Sequence, residues 1–199
     1  MTINDSNPVA TPDGIRLTVA EPAGTLLLSW HEAVRQLDSG QFDDSLADGL
    51  QMIIQLQWAA VHGWFVTTNE QKALMWRWII ACLFLLEQAE ANGTVEVANE
   101  DGGTDLAVIY SGKNGGMAVY PASERMSLAT HIEGIAIQKY GAVTGLERAI
   151  LLYEGMAEVP PAGGPLRLSQ WGREALKMLH DDFIRMVNTE GMPAEPTAH

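Results

Sequence analysis

A chain of 199 residues with 25 acids against 12 bases carries a formal charge of −13, an excess that disfavours direct binding to nucleic acid or anionic membrane. Apolar residues make up 47%, enough to bury a core, so disorder is expected only at the ends. A single cysteine, Cys82, excludes an internal disulfide and any zinc site built on cysteine pairs.

Residues 1–12 are polar and hold Pro8 and Pro12, so they read as a flexible N-terminus; their acidity is unlike a signal peptide. Ile15, Leu17 and Val19 alternate with Arg16, Thr18 and Ala20, the period of a short strand between Gly14 and Pro22. Thr25–Leu37 places Leu26, Trp30, Ala33 and Leu37 on one helical face, and Asp38-Ser39-Gly40 ends that helix. Asp43-Asp44-Ser45 puts acids at the positive end of a second helix, which Leu46, Leu50, Ile53, Ile54, Trp58, Val61 and Phe65 extend.

Thr68-Asn69-Glu70-Gln71 has the spacing of a capping box, with Thr68 or Asn69 as cap, ahead of a helix over Glu70–Ala91. Its middle, Ala73–Leu86, is apolar on nearly every side. At 14 residues with Arg77 inside it is too short to span a bilayer and reads as a central core helix. Asn92-Gly93 is a C-terminal stop.

Thr94–Ala98, Asp105–Ser111 and Met117–Tyr120 are short and β-rich, joined by Asn99–Gly103 and Gly112–Gly116: a three-stranded antiparallel meander that Pro121 stops. Ser123 can cap a helix over Glu124–Lys139, and Thr144-Gly145-Leu146-Glu147 is a second capping-box pattern leading a helix through Met156. Pro160–Pro165 is a loop, after which Ser169 caps a last helix through Val187; Gly191–His199 reads as a flexible tail. The expected fold is α+β, a helix-dominated single domain over 13–190 with the meander (about 94–120) inserted between two sets of helices. Strands and helices do not alternate, which disfavours a Rossmann-type nucleotide fold.

No residue set commits to catalysis. Gly112-Lys113-Asn114-Gly115-Gly116 lies between two strands, whereas a phosphate loop leads from a strand into a helix, so a hairpin turn is the better reading. His131/Glu133, His180/Asp181 and His31/Glu32 are one or two residues apart and diverge on a helix, so they do not make ligand pairs; no cofactor and no metal are expected. Six tryptophans are mostly core, although Trp76 and Trp78 diverge on their helix and one can reach a surface as an interface anchor.

The acids point instead to a partner. The first 100 residues hold 13 acids against four bases, and Asp38, Asp43, Asp44 and Asp48 form a run with no base. These four residues are the candidate acidic partner-binding surface, although helix capping also accounts for part of the run. The expected function is a non-enzymatic, cytoplasmic protein-binding module. It is an inhibitor or antagonist that occupies a basic, nucleic-acid-binding surface of a partner protein, as in phage or mobile-element anti-defence (anti-CRISPR-like) or toxin-immunity proteins. One alternative is a small-ligand protein or enzyme with a pocket between meander and helices, lined by Tyr110, His131 and Glu133. The other is an adaptor, chaperone or structural subunit.

Overall fold

The computed structural model describes residues 8–19, 24–39, 46–99, 101–114, 117–121 and 126–190. Within them lie six helices and three antiparallel sheets, a helix-dominated α+β fold in the expected element order apart from added strands. The first sheet is the main addition. Val9–Thr11 (β1), Gly14–Val19 (β2) and Gly24–Ser29 (β3) form an antiparallel meander in which Ile15 faces Leu28 and Leu17 faces Leu26. Two expectations are corrected here. Val9–Thr11, inside the segment read as a flexible end, is paired backbone. Thr25–Leu28, read as the start of a helix, is a strand. The Leu26-Leu27-Leu28 run fits either period, and pairing with β2 decides it: Leu28 is buried while Leu26 and Leu27 stay exposed.

The helix starts one turn later, at Trp30–Asp38 (α1), where the Ser29 hydroxyl accepts the Glu32 amide at 3.3 Å. Trp30, Ala33 and Leu37 face inward with i, i+3, i+7 spacing. The Trp30 indole N–H donates to the Pro12 carbonyl at 3.0 Å and its ring stacks on Phe65 at 5.2 Å, tying the first sheet to the end of Leu46–Val61 (α2).

Asn69–Asn92 (α3) is the central element. Its start is as the sequence predicts: the Thr68 hydroxyl accepts the Gln71 amide at 3.2 Å and the Gln71 side chain accepts the Thr68 amide at 3.1 Å. Ile79 through Leu85 are buried as an unbroken run, so this helix has neighbours on every side: α1, α2, β5 and the C-terminal helices. Each large apolar side chain buried there contributes about 1.5–3 kcal/mol. Cys82 is buried in the same run.

Gly93, with φ of +86°, ends α3 and starts the second meander, Thr94–Ala98 (β4), Thr104–Ser111 (β5) and Met117–Pro121 (β6). The buried Gln88 carbonyl fixes β5 to α3: it accepts from the Ser111 amide at 3.0 Å and from the Asn92 side chain at 3.0 Å. Asn92 also donates to the Ile109 carbonyl at 2.9 Å. After β5, Lys113 and Asn114 form a turn whose Asn114 amide donates to the Asp181 carboxylate at 3.1 Å; Gly115 and Gly116 of the glycine-rich segment lie outside the described residues.

Three helices close the chain: Met126–Tyr140 (α4), Ala142–Met156 (α5) and Gln170–Glu190 (α6). The second capping box fails. Helix α5 starts at Ala142 with Gly141 at its cap and no side-chain cap bond, so Thr144 lies inside the helix. The α4–α5 connection is one glycine long, and α5 has begun before Thr144 is reached. Ser169 does cap α6, accepting the Gly172 amide at 3.0 Å. A two-stranded hairpin, Ala157–Glu158 (β7) with Arg167–Leu168 (β8), brackets the proline loop. No helix among the described residues is long and apolar enough to cross a membrane.

Candidate docking groove on the C-terminal helices

Two glycines set how closely the last three helices approach. A Cβ on Gly145 would lie 2.5 Å from the Ile137 Cα and 2.7 Å from the Ala136 carbonyl oxygen, so α5 crosses α4 with its backbone against backbone. A Cβ on Gly172 would collide with the Met156 backbone, so α6 begins in contact with the end of α5. Helices pinned together at such points diverge away from them, and here they leave an open groove of about 640 Å³.

Helical spacing supplies the walls. Ile132, Ile135, Ala136 and Lys139 share one face of α4; Arg148, Leu151 and Leu152 share one of α5; Trp171, Ala175, Met178 and Leu179 share one of α6. Several of these side chains are far from buried: Leu151 is 66% exposed, Met178 54% and Trp171 49%. The core face of α5 is a different one, made by Gly145, Ala149 and Tyr153, with buried Met156 reached from both the core and the groove.

The charged groups lining the groove are both cations. The Arg148 guanidinium lies 4.1 Å from the Tyr140 ring centre and Lys139 Nζ 5.3 Å from it, a cation–π pair at the rim. Elsewhere Arg35, Arg77, Arg167 and Arg173 each bind a carboxylate of the chain itself. Among the described residues, Lys139 and Arg148 bind none.

Beneath the groove lies a polar triangle. Arg77 on α3 donates two bonds, 2.7 and 2.6 Å, to the two oxygens of Glu133 on α4, and the Tyr153 hydroxyl on α5 donates to the same carboxylate at 3.0 Å. Glu133 is 6% exposed. A buried carboxylate is tolerated because three donors satisfy it. Burial, then the adjacent Glu133 charge, push the Tyr153 hydroxyl far above its ordinary value, so it stays a donor. The triangle joins three helices and places no reactive group in the groove. Tyr153→Phe should cost about 1 kcal/mol by removing one of the three donors while Arg77 still holds Glu133. Urea denaturation of the two proteins would measure it, and a loss near zero would remove Tyr153 from the triangle's energetics.

Asp38 is exposed at the end of α1. Asp43 and Asp44, and the side chain of Asp48, lie outside the described residues, as do 1–7 and 191–199. Of the alternative pocket residues, His131 is exposed, Glu133 is held in the triangle, and Tyr110 is buried between Phe84 and His180 at 5.6 and 5.0 Å. None of the three lines the groove, which lies among α4, α5 and α6, not against the meander. Among the described residues no three His, Cys, Asp or Glu side chains are placed to hold a metal ion. Trp171 and Trp58, not Trp76 or Trp78, are the exposed tryptophans. Nothing in the sequence separates Leu151, Leu152 and Met178 from core positions; the signal it does hold is that α5 carries more apolar positions than one buried face uses.

His180 marks where α6 meets the second meander. It is 2% exposed, against the Tyr110 ring and beside Asp181. Burial pushes its imidazole below the ordinary value of 6.5, with the Asp181 charge opposing. The unfolded chain therefore binds more protons than the folded one as pH falls past 6.5, so the contribution is fully present above that value and is lost on acidification. Melting temperature should fall more steeply for the wild type than for His180→Phe between neutral pH and about pH 5. Parallel pH curves would rule this out. Comparison with known proteins returns no match to a family, to a curated protein or to a solved structure, so the chemistry of the groove rests on its own residues.

Proposed function

We propose that the protein is a non-enzymatic binding module that docks a partner protein on the α4–α5–α6 groove. The observation that carries this reading is the groove itself: an open apolar channel, its walls half exposed, with a cationic rim on a chain of net charge −13. A contiguous apolar patch left facing water is the usual mark of an interaction site, and an exposed Trp and Met within it suit an anchor-and-pocket contact.

The finer proposal keeps the acidic excess in its long-range role. A field of that sign steers a partner whose body is basic, as nucleic-acid-binding proteins are, while the groove supplies the close contact. An inhibitor or antagonist of such a partner in the cytoplasm, in the manner of anti-defence or toxin-immunity proteins, is the setting we propose. The test is capture from the native host with wild-type and Leu151→Gln protein, followed by a salt titration. Loss of the partner with Leu151→Gln, and weaker capture as salt rises, are expected. A partner retained equally by both proteins would remove the groove from the function. One indifferent to salt would remove the steering.

A further inference from the structure

We infer that the occupant of the groove is an amphipathic α-helix of a partner protein, bearing carboxylates beside its apolar stripe. This rests on the docking reading above and adds the chemistry of the partner.

The walls dictate the occupant's backbone. Helices α4, α5 and α6 use most of their own amides and carbonyls internally, and the lining offers side-chain polar groups at Lys139, Tyr140, Arg148 and the Trp171 indole, too few to match an extended backbone. An extended segment laid in such a channel buries unmatched N–H and C=O groups, each costly to leave unpaired. A helix brings its backbone bonds with it and presents side chains alone. The dimensions agree. Ile132 to Lys139 on α4 covers about two turns, or about 10.5 Å, which matches i, i+3, i+4, i+7 anchors on a facing helix.

The rim dictates the charge. Lys139 and Arg148 project at one side of the channel with no carboxylate of this chain among the described residues to neutralise them. A Glu or Asp flanking the partner's apolar stripe meets them in a partly desolvated place, and a Lys there is repelled. A second copy of this chain is a poor occupant, since pairing would join two bodies of −13.

The probe is a displayed library of peptides of about four helical turns. An apolar stripe is fixed at i, i+3, i+4 and i+7, and the flanking positions are open to Glu, Lys, Gln or Ala. Selection on the wild-type chain should enrich Glu beside the stripe. Binding of the selected peptides should fall about tenfold in Leu151→Gln, whose side chain is exposed enough to leave the fold intact, as circular dichroism would verify. Lys139→Glu with Arg148→Glu should invert the preference to Lys-bearing peptides. Binders lost in Leu151→Gln but indifferent to flanking charge would overturn the inference and leave the docking reading standing. No binder sensitive to Leu151→Gln, together with a native partner equally insensitive, would overturn both. Two further results would assign a different occupant and overturn the proposal: oleate that binds in a Leu151-dependent way while no peptide does, or a wild-type dimer in light scattering that Leu151→Gln splits.

Discussion

Replacing Arg77 with methionine is expected to lower folding stability by about 3–5 kcal/mol, toward the lower end because the guanidinium keeps 20% exposure. The loss does not measure how favourable the ion pair is. It measures what remains: a Glu133 carboxylate that is 6% exposed and still accepts from the Tyr153 hydroxyl. Desolvation of an unmatched charge is the larger effect, whereas water screens an exposed pair such as Arg35–Glu32 and leaves it little to lose. The double variant Arg77→Met/Glu133→Leu separates the two quantities, since removing both charges leaves apolar groups in an apolar place. It should recover most of the lost stability. Urea midpoints for the three proteins, with slopes compared, decide the matter. A single variant that loses under about 1 kcal/mol would mean that Glu133 finds a proton or water in place of Arg77.

Gly145→Ala should destabilise the protein by about 1–3 kcal/mol, the opposite sign from helix propensity, by which alanine gains about 1 kcal/mol over glycine inside α5. The added Cβ would lie 2.5 Å from the Ile137 Cα and 2.7 Å from both the Ala136 oxygen and the Ile137 nitrogen. All three are backbone atoms of α4, so no side chain can swing aside and one helix must move. A gain in stability would show that the crossing is looser than described. The same shift alters the groove, so binding of any groove ligand should weaken with stability, whereas Tyr153→Phe should leave it nearly unchanged.

Local signals were read well from the sequence. Thr68 and Gln71 lie three apart and need nothing beyond their own turn, as do Gly93 as a stop and Ser169 as a cap. The second meander was legible because its strands alternate and its connections are rich in Gly and Asn. The failures lie where a distant partner decides. Thr25–Leu28 fits either period until β2 is placed beside it, and Ile15 opposite Leu28 makes it a strand. Thr144 satisfies the capping pattern but sits inside a helix that Gly141 has already started. The candidate site was the least legible. An apolar residue facing an empty channel and one facing the core look the same in a sequence, so Leu151 and Tyr153 differ only once α4 and α6 are in place.

The bond from the Asn114 amide to Asp181 ties the glycine-rich turn after β5 to the middle of α6. Near its start α6 is fastened again, where Arg173 reaches Glu87 at 2.5 and 2.8 Å. None of these four residues lines the groove, yet together they hold the helix that carries Trp171 and Met178. The width of the channel is therefore inherited from α3 and the second meander. Changes in the turn at Gly112–Asn114 can retune what fits between the last three helices without altering a single side chain that a ligand would touch.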